Sequence, residues 1–210
     1  MTGNLAEIRA KSASPLRTGE DFLRDLRRKP RSIYFEGEKV SNPADHPAFS
    51  AGARTLARLF DFAAAPENRD VMTFSAPETG APVWRCYQIP RSHADLRAKR
   101  IAVELWAEQS FGLIGRSPDH VSNFVAGFAA KPEFFAAGGQ ELSDNVVKFY
   151  RHIRDTHAYV SYAIVPPQID RSKPAHQQKD PTLYAGIVKE TDAGIYLAGG
   201  QQLATSTCSI

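Results

Sequence analysis

Apolar residues are spaced in two regimes along the chain. Up to about residue 157 they recur every three or four positions, the spacing of helices with one buried face. Beyond Tyr162 they alternate with polar residues, the spacing of strands. In the first regime, Thr18 followed three residues later by Asp21 has the order of a capping box. Phe22, Leu23 and Leu26 then lead to Pro30, which stops the helix. Residues 32–40 hold two short extended runs around Glu36 and Gly37. Phe49, Ala53, Leu56, Ala57 and Phe60 share one stripe, which predicts a helix over 47–64 ended by Pro66. Residues 71–89 read as a second hairpin turned at 77–80, with Cys86 in one of its strands.

Ser92 and Asp95 open a further helix with Ala98, Ala102, Leu105 and Trp106 facing inward, broken by Gly112 and Gly115. Ser117, Pro118 and Asp119 follow as N-cap, first-turn proline and helix-start acid. Val121, Phe124, Val125 and Phe128 form the apolar stripe behind them. A last helix is predicted over 141–157, with Leu142, Val146, Phe149, Tyr150 and Ile153 on one face. Val165-Pro-Pro167 then bars a helix, and 171–181 is a polar, proline-punctuated loop. Residues 184–190 and 194–198 alternate around a turn and read as a hairpin at the start of a sheet. The predicted organisation is mainly α with small β-hairpins over 1–157. A linker and the first strands of an incomplete β-domain follow over 158–210.

Composition narrows the classes. The chain has 210 residues, enough to bury a core without staples, and 42% hydrophobic with 23% charged residues is ordinary for a globular protein. A net charge of +3, with basic and acidic residues mostly interspersed, implies no nucleic-acid partner. The basic cluster over 24–31 reads as a solvated helix end, favourable beside a C-terminal helix dipole. No apolar run reaches the ~18 residues of a membrane helix. Glu7 and Arg9 stand where a signal peptide would be apolar. Two cysteines, Cys86 and Cys208, build no disulfide framework and point to a reducing, cytoplasmic setting.

The nucleotide-binding glycine motifs are absent from the sequence, and Gly199-Gly200 alone reads as a turn or bulge. The six histidines show no helical metal-binding pair. His152 and His157 read as solvated or capping residues, and neither cysteine has a base beside it in sequence. One segment does gather chemistry: Gly112-Leu-Ile-Gly-Arg-Ser-Pro-Asp-His120. Its glycines free the backbone, and Arg116 directly precedes a capped helix start. Backbone N–H groups and a guanidinium would meet there, a place for an oxyanion or phenolate. The alternative is that Arg116 simply pairs with a surface acid.

Ordered blocks of the sequence resemble the 4-hydroxyphenylacetate 3-hydroxylase family, the oxygenase components of two-component flavin monooxygenases. The blocks are Arg17-Thr-Gly-Glu20, Gly37-Glu-Lys-Val40, His46-Pro-Ala-Phe49, Arg69-Asp-Val-Met-Thr-Phe74, Gly115-Arg-Ser-Pro-Asp119, Pro167-Gln-Ile-Asp-Arg171, Val188-Lys-Glu-Thr-Asp-Ala-Gly-Ile195 and Ala204-Thr205. The resemblance implies the N-terminal part of an acyl-CoA-dehydrogenase-like fold, with C-terminal helices that drive tetramer formation in the family. It implies reduced FAD supplied by a separate reductase, dioxygen, a C4a-hydroperoxyflavin, and hydroxylation of a phenolic substrate ortho to its hydroxyl. Such a site must exclude water and hold the ring in line with the transferred oxygen.

By matched position, Arg116 would meet the substrate and the flavin. His120 falls where the hydroxyphenylacetate enzymes have tyrosine, and Tyr162 where they have histidine, so the two residue types are exchanged. Both are carried forward as catalytic candidates. Tyr162, Ala163, Ile164, Gln168, Ile169, Asp170, Arg171 and Thr205 match the stretches that hold the flavin; for Gln168 and Arg171 a plain surface turn is the other reading. Family members continue beyond the last residues here, so the chain reads as an N-terminal portion. It is either part of such a hydroxylase or a non-catalytic remnant or interaction module. The related flavin and iron–sulfur dehydratase branch is set aside, because no cysteine lies near the Arg116 segment in sequence.

Overall fold

The computed structural model describes residues 16–28, 31–180 and 182–202. These form two compact units, one running to Val160 and one starting at Ser161.

The first unit begins with helix α1, Gly19–Arg28. Its start is reciprocal: the Thr18 N–H donates to the Asp21 carboxylate at 3.0 Å, and the Asp21 N–H donates to Thr18 Oγ1 at 3.2 Å. At its other end Arg27 reaches Asp45 Oδ1 at 3.0 Å. Strands β1, Ile33–Phe35, and β2, Glu38–Val40, pair antiparallel across the Glu36 and Gly37 turn, where both residues have positive φ. Helix α2 runs Ser50–Ala64, three residues shorter at its start than expected. The preceding residues are held instead in a turn in which Asn42 Oδ1 accepts the Ala44 N–H at 2.9 Å.

The second hairpin is also shorter than its sequence pattern. One turn of helix α3, Arg69–Met72, precedes β3, Thr73–Ser75, which pairs antiparallel with β4, Pro82–Trp84. A 3₁₀ turn, Arg85–Tyr87, then takes Cys86 out of the strand. The Arg85 guanidinium explains the curl, donating to Val71 O at 2.6 Å and to Asp70 O at 2.8 Å. Helix α4, His93–Gln109, opens on the full Ser92 and Asp95 capping box. Helices α5, Asp119–Ala130, and α6, Gln140–Asp155, follow, joined by a 3₁₀ segment, Pro132–Gly138.

Aromatic rings build the interior. Trp84 lies 4.7 Å from Phe60 and edge-on to Trp106 at 5.6 Å, and Phe22 stacks on Phe60 at 4.9 Å between centroids. The Trp106 indole N–H donates to Leu59 O at 3.0 Å, so its polar end is satisfied inside the core. Helix α6 ends two residues earlier than predicted. The Ala158 N–H bonds Ile153 O at 2.9 Å and the His157 N–H bonds Arg154 O at 3.2 Å, with His157 at φ 50. That is a Schellman cap with histidine where glycine is usual. His157 is therefore a cap, but its ring is buried against Trp84 at 5.3 Å rather than solvated. Two apolar stripes are also less buried than expected. Phe124 and Phe128 on α5, and Leu142 and Phe149 on α6, are each about half exposed.

In the second unit, residues 161–164 have no regular secondary structure, and Val165 bridges antiparallel to Gln202. The polar loop holds one 3₁₀ turn, Ala175–Gln177. Strand β5, Gly186–Thr191, pairs antiparallel with β6, Gly194–Ala198, with a register shift between Ile187 and Lys189.

Candidate functional site

Arg116 sits at the end of a connection that begins with an unusual helix stop. After α4, the Phe111 N–H bonds Glu108 O and the Gly112 N–H bonds Ala107 O, at 3.1 and 2.9 Å. Both residues take positive φ, 52 for Phe111 and 71 for Gly112. A phenylalanine in that region is strained, and here it is also 90% exposed. The connection regains order at Arg116, whose carbonyl accepts the Tyr159 hydroxyl at 3.1 Å. Tyr159 is itself buried in the core, so the segment is anchored from behind.

The start of α5 differs from the expected cap. Ser117 caps no backbone N–H; its hydroxyl donates to the Asp119 carboxylate, and Pro118 already has helical φ. Asp119 is buried, as is Ser122, whose hydroxyl donates to Pro118 O at 2.9 Å and Asp119 O at 3.0 Å. The anion at this helix start is thus the chain's own carboxylate. Beneath it lies Lys99, whose ammonium donates to Gln88 O at 2.7 Å. Burial pushes the Lys99 pKa down, while the neighbouring Cys86 and Asp119 work against that shift.

Cys86 is a correction to the reading by chain distance. The fold brings its thiol to the Ser122 hydroxyl and near Asp119, three residues from Arg116. Burial pushes the thiol up to about 12, so it stays protonated and is a poor metal ligand. Among the described residues no group of three or more His, Cys, Asp or Glu side chains could hold a metal ion.

Arg116 and His120 therefore share one anchored helix start in the first unit, each partly exposed, with the His120 ring edge-on to Phe124 at 5.1 Å. Tyr162, Ala163, Ile164, Gln168, Ile169, Asp170 and Arg171 belong to the second unit, and Thr205 lies outside the described residues. Ala163 and Ile164 lie outside helix and strand and make no backbone hydrogen bond among the described residues. The Ile164 and Arg171 side chains are exposed. The Asp170 carboxylate accepts the Ser172 hydroxyl at 2.5 Å and the Ser172 N–H at 3.0 Å and pairs with Lys173 at 3.3 Å, and these bonds hold its pKa below the usual range.

Sequence reasoning did not single out Tyr159 and Lys99. Tyr159 has no motif around it, and its role appears only when α6 folds back behind the Arg116 connection. Lys99 looks like one more basic residue on a helix with three Lys and Arg.

Residues 18–209 match the family model "4-hydroxyphenylacetate 3-hydroxylase N terminal". The chain is 35% identical over 189 residues to a 4-hydroxyphenylacetate 3-monooxygenase oxygenase component from Thermus thermophilus, covering 90% of this chain and 38% of that protein. Its fold matches a crystal structure of such an oxygenase component complexed with FAD and 4-hydroxyphenylacetate, with a TM-score of 0.81 and 35% identity. That match covers 87% of this chain and 37% of the other. A 4-hydroxybutyryl-CoA dehydratase from N. maritimus shares the fold alone, with a TM-score of 0.73 at 24% identity over 88% of this chain and 36% of that one. The fold class is that of the N-terminal part of an acyl-CoA-dehydrogenase-like protein. The chain spans less than two fifths of the length of the relatives it matches. It belongs to the 4-hydroxyphenylacetate 3-hydroxylase family, whose N-terminal region it carries.

Proposed function

We propose that the chain supplies the Arg116 wall of the active site in the oxygenase component of a two-component flavin monooxygenase acting on a phenol. Reduced FAD from a separate reductase, when bound, supplies the two electrons that activate dioxygen; one oxygen atom enters the ring ortho to the hydroxyl and the other leaves as water. Arg116 holds the phenol oxygen and favours its phenolate form, because a cation stabilises the developing negative charge. His120, four residues on in the first turn of α5, takes or holds the phenol proton. Tyr162 orients the ring. Residues 162–164 and 168–171, with Thr205, hold the flavin through backbone and side-chain contacts. Asp170 acts there by fixing the loop rather than by touching the cofactor.

The observation that carries this reading is the anchoring of Arg116. Its carbonyl is tied to the buried Tyr159, and its helix start rests on Asp119 and Ser122, so the guanidinium and His120 rise from a rigid element. The domain organisation proposed is a helical domain over 1–157 and the opening of a β-domain over 158–210. The whole enzyme would be a cytoplasmic homotetramer of aromatic compound catabolism.

A second reading, a non-catalytic interaction module, is favoured by one observation: the β5–β6 hairpin leaves its apolar side chains exposed among the described residues. Rapid mixing of the chain and anaerobically reduced FAD with oxygenated buffer separates the two. A flavin absorbance transient distinct from oxidised flavin, slower to decay than with free flavin and lost in Arg116→Ala, is the expected outcome. Oxidation at the free-flavin rate in the parent chain would overturn the catalytic reading and leave the module.

A further inference from the structure

A cleft of about 470 Å³ opens in the first unit between the β3–β4 hairpin, α5 and α6. Ala129 lines it at the far end of α5 from His120, nine residues or ~13 Å along the helix axis. It is therefore separate from the Arg116 segment.

Phe74, Ile89 and Val147 supply its apolar lining. The ionic part of the lining is already organised. Arg154, 1% exposed, is held by Glu78 Oε2 at 2.8 Å and Asp155 Oδ1 at 2.7 Å, with its guanidinium 5.2 Å from the Tyr150 ring centre. The second Glu78 oxygen accepts Arg151 Nε at 3.1 Å. One carboxylate thus serves two guanidinium groups. Burial opposes ionisation of Glu78, yet the Arg154 hydrogen bond and charge hold its pKa below the usual range. The third lining arginine, Arg91, forms no side-chain hydrogen bond or ion pair among the described residues. The nearby Asp95 carboxylate is committed to the α4 start, accepting the Arg91 and Ser92 N–H groups, each at 2.9 Å. Three cations face the cleft against one lining carboxylate.

We infer that this cleft binds a small organic anion, a ring-sized apolar body against Phe74, Ile89 and Val147 whose carboxylate is held by Arg91 and Arg151. The buried Arg154 and Glu78 pair fixes Arg151 in position, and the apolar lining excludes ions that carry no body. Size and charge together define the ligand class, and neither alone suffices.

Titration of the isotope-labelled chain with benzoate, followed by amide shifts at Phe74, Ile89 and Arg151, tests this. Benzamide has the same shape without the charge, and inorganic phosphate has charge without the body. The expected result is saturable benzoate binding at least tenfold tighter than either. Arg151→Gln and Arg91→Gln should each weaken it about tenfold with unchanged circular dichroism, and Arg116→Gln should leave it as it was. Equal binding of phosphate, equal binding of benzamide, no saturable shift, or loss with Arg116→Gln alone would each overturn the inference.

Discussion

In the first unit Trp84, Trp106, Phe60 and Leu59 are sealed from solvent, each at most 1% exposed. In the second, Ile187, Val188, Ile195, Tyr196 and Leu197 are each 55–68% exposed. The residue types are similar; the difference is architectural. Helices α1, α2, α4, α5 and α6 each bring buried apolar residues to one interior around two tryptophans, even though part of the α5 and α6 stripes stays half exposed. Along β6, successive apolar residues Ile195, Tyr196 and Leu197 alternate between opposite faces of the ribbon. A two-stranded ribbon cannot cover both of its own faces. A core thus depends on the number of layers as much as on apolar composition.

The largest effect expected from this contrast is at Trp106. Replacing it by alanine removes a fully buried ring and leaves Leu59 O without its donor, at a cost of about 4 kcal/mol. Urea unfolding followed by far-UV circular dichroism should show the loss. A loss under 1 kcal/mol would mean that the first unit is not held together by its aromatic interior. Gly19→Ala should cost less, about 2 kcal/mol, because the new Cβ would meet the Ala57 carbonyl and the Asp61 carboxylate that accepts the Gly19 N–H at 2.7 Å. The backbone of α2 leaves no room there, whereas at Gly52, which has open space, the same change should be neutral or stabilising.

These two positions also mark what the sequence could carry. The helix starts at Thr18 and Ser92 were legible because a capping box is a local device, written within four residues. The need for glycine at position 19 was not, since it comes from a helix 38 residues away in the chain. Cys86 was placed in a strand and far from Arg116 for the same reason: only the tertiary fold sets it against Ser122. The stripe containing Phe124 and Phe128 has the right period, but periodicity reports a common face without saying whether anything covers it. At the candidate site, the place of Arg116 just before a helix start was legible from Ser117, Pro118 and Asp119, whereas His120 came from the family resemblance. The anchoring by Tyr159 was not legible, because no spacing links positions 116 and 159.

Acid should erode the first unit in two stages. Burial holds the His157 pKa below its ordinary value of 6.5, so the unfolded chain binds a proton there more readily than the folded one. Stability from the neutral ring is complete above pH 6.5 and falls as the pH drops below it. Asp21 is lowered from 3.8 to about 2 by hydrogen bonds from Thr18 and Arg24, so its cap holds above pH 3.8 and fades towards pH 2. His157→Asn, which tolerates the left-handed cap conformation, should flatten the first stage and leave the second. Asp21→Asn should do the reverse, with a loss of about 1 kcal/mol at neutral pH. A His157→Asn profile identical to the parent's would show that the buried ring does not govern the first stage.

The smallest effect should come from the second unit. Leu197 is 68% exposed on β6, so Leu197→Ser should change stability by less than about 0.5 kcal/mol, against several for Trp106→Ala. Hydrogen exchange sharpens the same point without a mutation. Backbone amides of β5 and β6 are paired with each other, in a ribbon whose side chains are exposed among the described residues. They should exchange through local opening, at rates insensitive to the Trp106→Ala change. Amides of α2 and α4 should exchange only through global unfolding and speed up about 1000-fold in that variant, as ~4 kcal/mol requires. Equal protection in β5 and α2 would erase the contrast between the units, because a ribbon as protected as the helical core must have both apolar faces covered.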